Sequence, residues 1–276
     1  MAHLEPMPLS KDTARRLLAA IHGTDRTPNV FHPMFAFVRA HHRALRRSQG
    51  DVSGVCVDVG CGDRFYERFY QGAYSRYVGL DYLPVVVTDG KARRLRGREF
   101  ENPDVIADGQ VLPLKSDIAD TLLLIEVLEH IPDPLALLKE AKRILKPGGR
   151  LLLTTPFALP EHAQPYDFYR YTQYGLRHLL REAGLRVERV EPITSLGGVI
   201  AYFLNMFPIV GTYRAGKLGK ALKLFGAPVF LVVWAVTNIW ALAWDRFFSK
   251  DGFTLDYLAV AINVGKEAQL TPGGGV

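Results

Sequence analysis

An α/β fold built on an open, doubly wound sheet is predicted by three observations. Short apolar runs of strand length alternate with longer, partly helical stretches; a glycine turn closes the first run; and an aspartate stands at the tip of the next. The first run, 54–59, passes into Val57-Asp58-Val59-Gly60-Cys61-Gly62-Asp63. Glycines at 60 and 62 let the backbone turn tightly and approach a ligand. The second run, 77–81, closes with Val78-Gly79-Leu80-Asp81, and a carboxylate at that strand tip accepts both hydroxyls of a ribose. The pair of signals indicates a nucleoside site, though not one for a dinucleotide. Asp58 and Asp63 would repel a pyrophosphate, and Phe65 stands where G-x-G-x-x-G needs its third glycine. A cationic ligand suits this loop.

Runs at 104–107, 119–125 and 150–155 supply three more strands, so five parallel strands are expected. The clearest helix begins at Asp133-Pro134, a cap followed by proline at the first helical position, and stops at Lys146-Pro147-Gly148-Gly149. Leu135, Leu138, Ala141 and Leu145 form its apolar face. A helix at about 172–183 stops at Gly184 and leads into a strand at 185–191; a last strand is expected at 254–264. Two helices precede the sheet, at about 10–22 and 33–48. In the second, Phe35, Val38, His42 and Leu45 recur at helical spacing among Arg39, Arg43, Arg46 and Arg47, a packing pattern that also suits a cap over the ligand pocket. His22, His32, His41 and His42 are read as surface or packing residues. No internal repeat is visible, and the tail Thr271–Val276 is expected to be disordered.

With 276 residues, 48% of them hydrophobic, the chain can bury one large core. The expected organisation is a helical cap at 1–50, a core at 51–194, an apolar insertion at 195–250, and the last strand and tail at 251–276. The net charge of +6 would suit RNA or an anionic membrane surface, yet the basic residues are scattered and no aromatic-basic nucleic-acid module is visible. Nucleic acid is therefore not expected as a partner. Cys56 and Cys61, on one strand and its turn, lie too far apart in an extended chain to bridge, which implies a reducing compartment. Glu5, Lys11 and Asp12 interrupt the apolar core that an export signal requires, so a cytoplasmic protein is expected.

Three further segments, taken with the glycine turn, carry a family resemblance. They are Ile106-Ala107-Asp108-Gly109-Gln110-Val111-Leu112-Pro113-Leu114, Ile125-Glu126-Val127-Leu128-Glu129-His130-Ile131, and Leu145-Lys146-Pro147-Gly148-Gly149-Arg150 running on to Pro156. In order and spacing, from about residue 52 to 192, the chain resembles the class I S-adenosylmethionine-dependent methyltransferases, in particular the type 11 group. The resemblance implies a Rossmann-like seven-stranded methyltransferase sheet with helices on both faces and S-adenosylmethionine as cofactor. It places Asp58, Gly60, Cys61 and Gly62 near the aminoacyl end, Asp81 at the ribose diol, Asp108 and Gly109 near the adenine amino group, and the backbone of Glu126 and Val127 beneath the ring. One departure is Arg64, where the family often has a third glycine in D-x-G-x-G-x-G.

Methyl transfer is an in-line displacement, so a base is needed only where the acceptor must lose a proton. Two clusters lie on loops where acceptors meet such a sheet. Glu126-x-x-Glu129-His130 resembles the metal loop of the small-RNA terminal 2′-O-methyltransferases and of some quinone-pathway O-methyltransferases, which implies Mg²⁺ or Mn²⁺ on Glu126, Glu129 and His130. Similar sequences occur without metal, where Glu129 and His130 shape the loop. The second cluster, His162-Ala163-Gln164-Pro165-Tyr166-Asp167-Phe168-Tyr169-Arg170-Tyr171, suits either a pocket wall against a polyhydroxylated substrate or a rigid loop tied by an Asp167–Arg170 ion pair. His130, His162, Asp167 and Arg170 are the catalytic candidates, His162 as base or further metal ligand.

Residues 192–213 and 224–244 carry no charge, and Arg214, Lys217, Lys220 and Lys223 lie between them. The pattern predicts a helical hairpin before the last strand that dips into the cytoplasmic leaflet, with lysines at headgroups and Trp234, Trp240 and Trp244 near the interface. A soluble lid, a dimer contact and a two-pass hairpin are the alternatives. Together these features predict O-methylation of an amphiphilic or lipid-linked acceptor, such as a glycan intermediate, by an enzyme peripheral to the cytoplasmic membrane face. Metal-assisted methylation of RNA ribose and a non-catalytic, cofactor-binding membrane scaffold are the competing readings. The acceptor's identity and the oligomeric state are not legible.

Overall fold

The computed structural model describes residues 20–21, 23–24, 26–82, 103–214, 216–248 and 252–265. Most of the helix expected at about 10–22, His22 and the tail 271–276 lie outside the described residues. The chain divides into two compact units, residues 42–193 with 254–276 and residues 1–41 with 194–253. Helix α1, Phe35–Arg47, carries the chain from one to the other.

The first unit is a seven-stranded sheet in the order β3-β2-β1-β4-β5-β7-β6. Its strands are β1 (Val55–Val59), β2 (Arg76–Asp81), β3 (Val105–Ile106), β4 (Ala119–Ile125), β5 (Leu145–Pro156), β6 (Arg186–Pro192) and β7 (Asp256–Ile262). The first five pair in parallel, as the alternation of elements predicts, and β7 runs antiparallel between β5 and β6. In β4 every residue from Thr121 to Ile125 is buried, as expected of a central strand covered on both faces. The order of strands reverses between β1 and β4, and their carboxyl ends flank the crevice where such folds take ligands.

Helix α2, Pro134–Ile144, starts as its sequence indicates: Asp133 caps it by accepting from the Ala136 amide at 3.0 Å, with Pro134 in the first turn. It buries Leu137, Leu138, Ala141 and Ile144. The turn Lys146–Gly149 does not lead into a loop. Strand β5 begins at Leu145, paired with Ala119, and an irregularity between Ala119 and Thr121 absorbs the turn before regular pairing resumes at Arg150. Helix α3, Gln173–Glu182, is capped by Thr172. Between β1 and β2 the chain forms only a 3-10 segment, Phe65–Phe69, against which His42 packs with ring centroids 5.6 and 4.8 Å away.

The second unit contains the expected hairpin as α4, Leu196–Arg214, and α5, Gly216–Phe247. Its interior includes Ala36, Ala201 and Ala241, with Phe37 edge-on to Tyr202. His32 and His41 are buried there. In the sheet unit, Cys56 and Cys61 are both buried free thiols.

Candidate active site

The site lies at the carboxyl ends of β1, β2, β4 and β5. Gly60 has φ 79°, and a Cβ there would come within 2.4 Å of a Val127 methyl, so the turn after β1 can meet the β4 loop only through a glycine. Gly62, at φ 54°, has nothing among the described residues within 4 Å of an added Cβ. The amides of Gly60 and Cys61 both donate to the Leu80 carbonyl, which fixes the turn onto β2. Asp81 is then held by two backbone donors, the Gly62 amide on Oδ2 and the Tyr82 amide on Oδ1, each at 2.7 Å. An ionised carboxylate offers about four acceptor sites, so both oxygens keep capacity for a vicinal diol.

Asp58 is buried beneath this turn, where the Tyr77 hydroxyl donates to it at 2.5 Å. Burial pushes its carboxyl up to about 7 against the opposing effect of the Tyr77 bond. Arg64 accounts for the missing third glycine. It takes the left-handed conformation itself, φ 56°, and turns its guanidinium away to Asp104 at 2.5 Å and to the Tyr77 ring. Asp108 is exposed, and its Oδ1 caps a turn by accepting from the Gln110 amide and side chain at 2.9 and 3.3 Å. Gly109 packs close to Leu137.

The second part of the site follows β4 and β5. Glu126 takes φ 55° and donates its amide to Thr154 at 3.1 Å; burial pushes its carboxyl up to about 7. Glu129 is fully buried and, among the described residues, neither carboxyl oxygen has a hydrogen-bond partner, so burial, and after it Glu126, raises its carboxyl well above the usual range. Beside it, His130 Nδ1 lies 2.6 Å from the Tyr166 carbonyl. A carbonyl can only accept, so Nδ1 carries the proton and Nε2 is the basic nitrogen, 3.6 Å from Glu129 Oε1. His162 Nε2 stands 3.9 Å from the same oxygen, and the two imidazoles meet edge to face at 4.9 Å.

A clamp holds His162 in place. Arg170 donates to both oxygens of Asp167, at 2.6 and 2.7 Å, and to the carbonyls of Leu159, Pro160 and Tyr169, which engages all of its guanidinium N–H groups. Asp167 also accepts from the His162 amide, and Arg170 holds its carboxyl down at about 2. These two residues tie the loop together, while His130 and His162 face the buried carboxylate.

Ligand atoms of Glu129, His130 and His162 all lie within 4.8 Å of one another. The predicted partner Glu126 falls outside this trio: three residues from Glu129 on an irregular turn rather than a helix face, it lies instead with Asp256, in a second acidic group. The trio could hold a divalent cation: the buried carboxyl oxygens of Glu129 are open to one, and His130 is anchored through its other nitrogen, as metal-binding histidines are. Tyr77, Asp104 and Asp256 were not anticipated. The one sequence signal among them is Asp256, a lone charge at the head of an apolar strand.

A parallel sheet ending in a reversed strand, with a glycine turn and a ribose-competent aspartate at its switch point, defines a class I S-adenosylmethionine-dependent methyltransferase. The chain matches the family described as "Methyltransferase domain" over residues 32–190, more than half its length, and belongs to that family. The ubiquinone biosynthesis O-methyltransferase of Xanthomonas oryzae pv. oryzae is 34% identical over 112 residues, 38% of this chain and 44% of that protein. The protein of the same name from Xylella fastidiosa is 28% identical over 195 residues, 61% of this chain and 73% of that one. The chain thus spans less than half the length of the X. oryzae relative and about three quarters of the other. The crystal structure of the [4+2]-cyclase SpnF superposes with a TM-score of 0.50 at 19% identity, covering 82% of this chain and 81% of that one, a likeness of fold alone.

Proposed function

We propose that the protein methylates a hydroxyl oxygen of an amphiphilic, lipid-linked acceptor, such as a glycan intermediate. The observation that carries oxygen as the methylated atom is the convergence of two imidazole Nε2 atoms on the buried carboxyl of Glu129, at the carboxyl edge of β4; the apolar α4–α5 hairpin supports the amphiphilic acceptor. A hydroxyl must lose a proton during methylation, and a positioned imidazole takes it. The names of the Xanthomonas and Xylella relatives support oxygen as the methylated atom.

The donor site fits S-adenosylmethionine. Gly60 and Gly62 leave a backbone cradle, Asp81 keeps acceptor capacity for a ribose, and Asp58, beneath the turn, is the carboxyl assigned to the ammonium of the aminoacyl group. Asp108 and Gly109 bound the adenine end, with the Glu126–Val127 backbone beneath the ring. When bound, the cofactor supplies a methyl carbon already activated by a sulfonium. The chain's own residues therefore align the acceptor, exclude water and hold a proton.

Burial lowers the pKa of His130, and Nε2, the nitrogen not committed to the Tyr166 carbonyl, accepts the hydroxyl proton. Glu129 then faces the imidazolium. His162, pinned by Asp167 and Arg170, borders the same space and orients the acceptor. In a metal-assisted variant of the reaction, Mg²⁺ or Mn²⁺ would be held by Glu129, His130 and His162 and would supply Lewis acidity at the acceptor oxygen, with His130 Nε2 then a ligand in place of a base.

The test is incubation with methyl-labelled S-adenosylmethionine and a cell extract separated into lipid, glycan, RNA and protein fractions, with and without chelator. Label in lipid or lipid-linked glycan is expected. Label confined to RNA or protein, or none from protein that binds the cofactor, overturns the proposal, the last outcome leaving a non-catalytic scaffold.

A further inference from the structure

The hairpin unit is built inside out. Two asparagines of the helices face inward: Asn205 and Asn238, both fully buried, donate to the backbone carbonyls of Pro33, and of Val30 and His32, at 2.9–3.0 Å. Thr237 donates to Asn205 Oδ1 at 2.6 Å, and the Trp234 indole donates to the Asn205 carbonyl. The outward stripe is apolar. Phe207 is 80% exposed, and Val229, Val232 and Val236, at helical spacing along α5, are 61–62% exposed. In water this arrangement is penalised by wetting a large apolar face, while the inward amides are already satisfied by their hydrogen bonds. In hydrocarbon it is the expected one, because polar groups must satisfy each other internally while apolar side chains meet the lipid.

From this polarity we infer that the α4–α5 hairpin is a monotopic membrane anchor, seated in one leaflet of an anionic bilayer through the stripe that includes Phe207, Val229, Val232 and Val236. Chain connectivity rules out a single crossing. The hairpin leaves from β6 and returns into β7, which are paired neighbours through Pro192 and Tyr257, so both helices cross or neither does. The apolar stretch of α5, Gly226–Phe247, rises about 33 Å over its 22 residues, enough for a hydrocarbon core of about 30 Å. That of α4, Leu196–Gly211, rises only about 24 Å and falls short. A double crossing would also carry Arg214, Lys217, Lys220 and Lys223 to the far side, whereas a hairpin kept in one leaflet leaves them for anionic headgroups. Hydropathy alone marks the region as apolar; the inward asparagines add the choice of lipid over water as its outer neighbour.

Flotation of the purified full chain with phosphatidylglycerol-containing and pure phosphatidylcholine vesicles tests this without acceptor or turnover, so it stands or falls separately from the proposed methyl transfer. The protein is expected to float with both, and more completely with the anionic vesicles. V232E/V236E should lower the vesicle-bound fraction at least about tenfold while keeping S-adenosylhomocysteine binding. Tyr174→Glu, an added charge on exposed α3, should leave flotation unchanged. Should the double variant fail to bind S-adenosylhomocysteine, F207S/V229S provides the same reading. The inference is overturned if the wild-type protein stays with the unfloated fraction. It is also overturned if the stripe variants float normally, or if sedimentation shows a stable dimer that V232E/V236E dissociates, which would put a second copy on the stripe.

Discussion

Alanine at Gly60 and at Gly62 should separate folding from cofactor binding, because both glycines have positive φ but different surroundings. At Gly60 the new methyl would meet Val127 Cγ2 at 2.4 Å, and the residue would sit at φ 79°. Left-handed backbone costs a non-glycine residue about 1–2 kcal/mol, and overpacking a closed contact adds about 1–3 kcal/mol, so Gly60→Ala should lose roughly 2–5 kcal/mol of stability. At about 2–4 °C per kcal/mol, the melting temperature should fall by at least 4 °C or so. At Gly62, with φ 54° and nothing among the described residues within 4 Å, only the backbone cost of about 1–2 kcal/mol applies. Gly62→Ala should therefore stay folded yet lose S-adenosylhomocysteine affinity, since its methyl enters the space assigned to the ligand. Urea denaturation and isothermal titration calorimetry read the two effects separately. Wild-type affinity in Gly62→Ala would refute the placement of the ligand over this turn, and wild-type stability in Gly60→Ala would refute the close approach of Val127.

Three further outcomes are expected. Asp81→Asn keeps the shape of the ribose acceptor but turns one oxygen into a donor facing a backbone amide, so calorimetry should show affinity for S-adenosylhomocysteine weakened roughly 10- to 150-fold, the worth of one hydrogen bond to a charged group. Asp58, raised to about 7, holds in the ligand-free folded state a proton that the unfolded chain releases near pH 4. Its contribution to stability is thus complete below about pH 4 and is lost as pH rises through 7, at up to about 1.4 kcal/mol per pH unit, and urea midpoints for Asp58→Asn should lack that slope. Cofactor affinity should move the opposite way, rising over the same range as Asp58 ionises. Glu129→Gln should abolish Mn²⁺ binding, by at least about 100-fold in a titration, while the metal-free melting temperature holds or rises because a buried carboxyl has become a neutral amide.

Much of the sheet was legible because its strands are apolar runs punctuated by glycine, aspartate and proline, and the cap at Asp133-Pro134 located the start of α2 to the residue, while its end falls at Ile144 and Leu145, expected on its apolar face, opens β5. The Lys146–Gly149 turn illustrates the limit of local reading. The sequence signals a stop, but pairing between Leu145 and Ala119 draws the turn into the start of β5. Arg64 is similar: a departure from the glycine pattern that only the partnership with Asp104 and Tyr77 explains. At the site, the Glu129–His130 spacing was visible, but the convergence of His162 on the same carboxylate depends on a clamp spanning residues 159–170. The sequence left open whether Asp167 and Arg170 bind substrate or tie the loop, and the saturation of the Arg170 donors favours the tie. Inward-facing Asn205 and Asn238 were invisible to hydropathy, which averages over a helix and does not register which side is polar.

The most direct test of the account is nuclear magnetic resonance of the product made with S-adenosylmethionine carrying a carbon-13 methyl, after the enzyme has acted on a total lipid extract. The methyl carbon reports the atom to which it is bonded. A methoxyl resonance in an extractable lipid or lipid-linked glycan, lost in His130→Ala, is the predicted result. An N-methyl or C-methyl resonance, or a methoxyl signal indifferent to His130, would contradict the account.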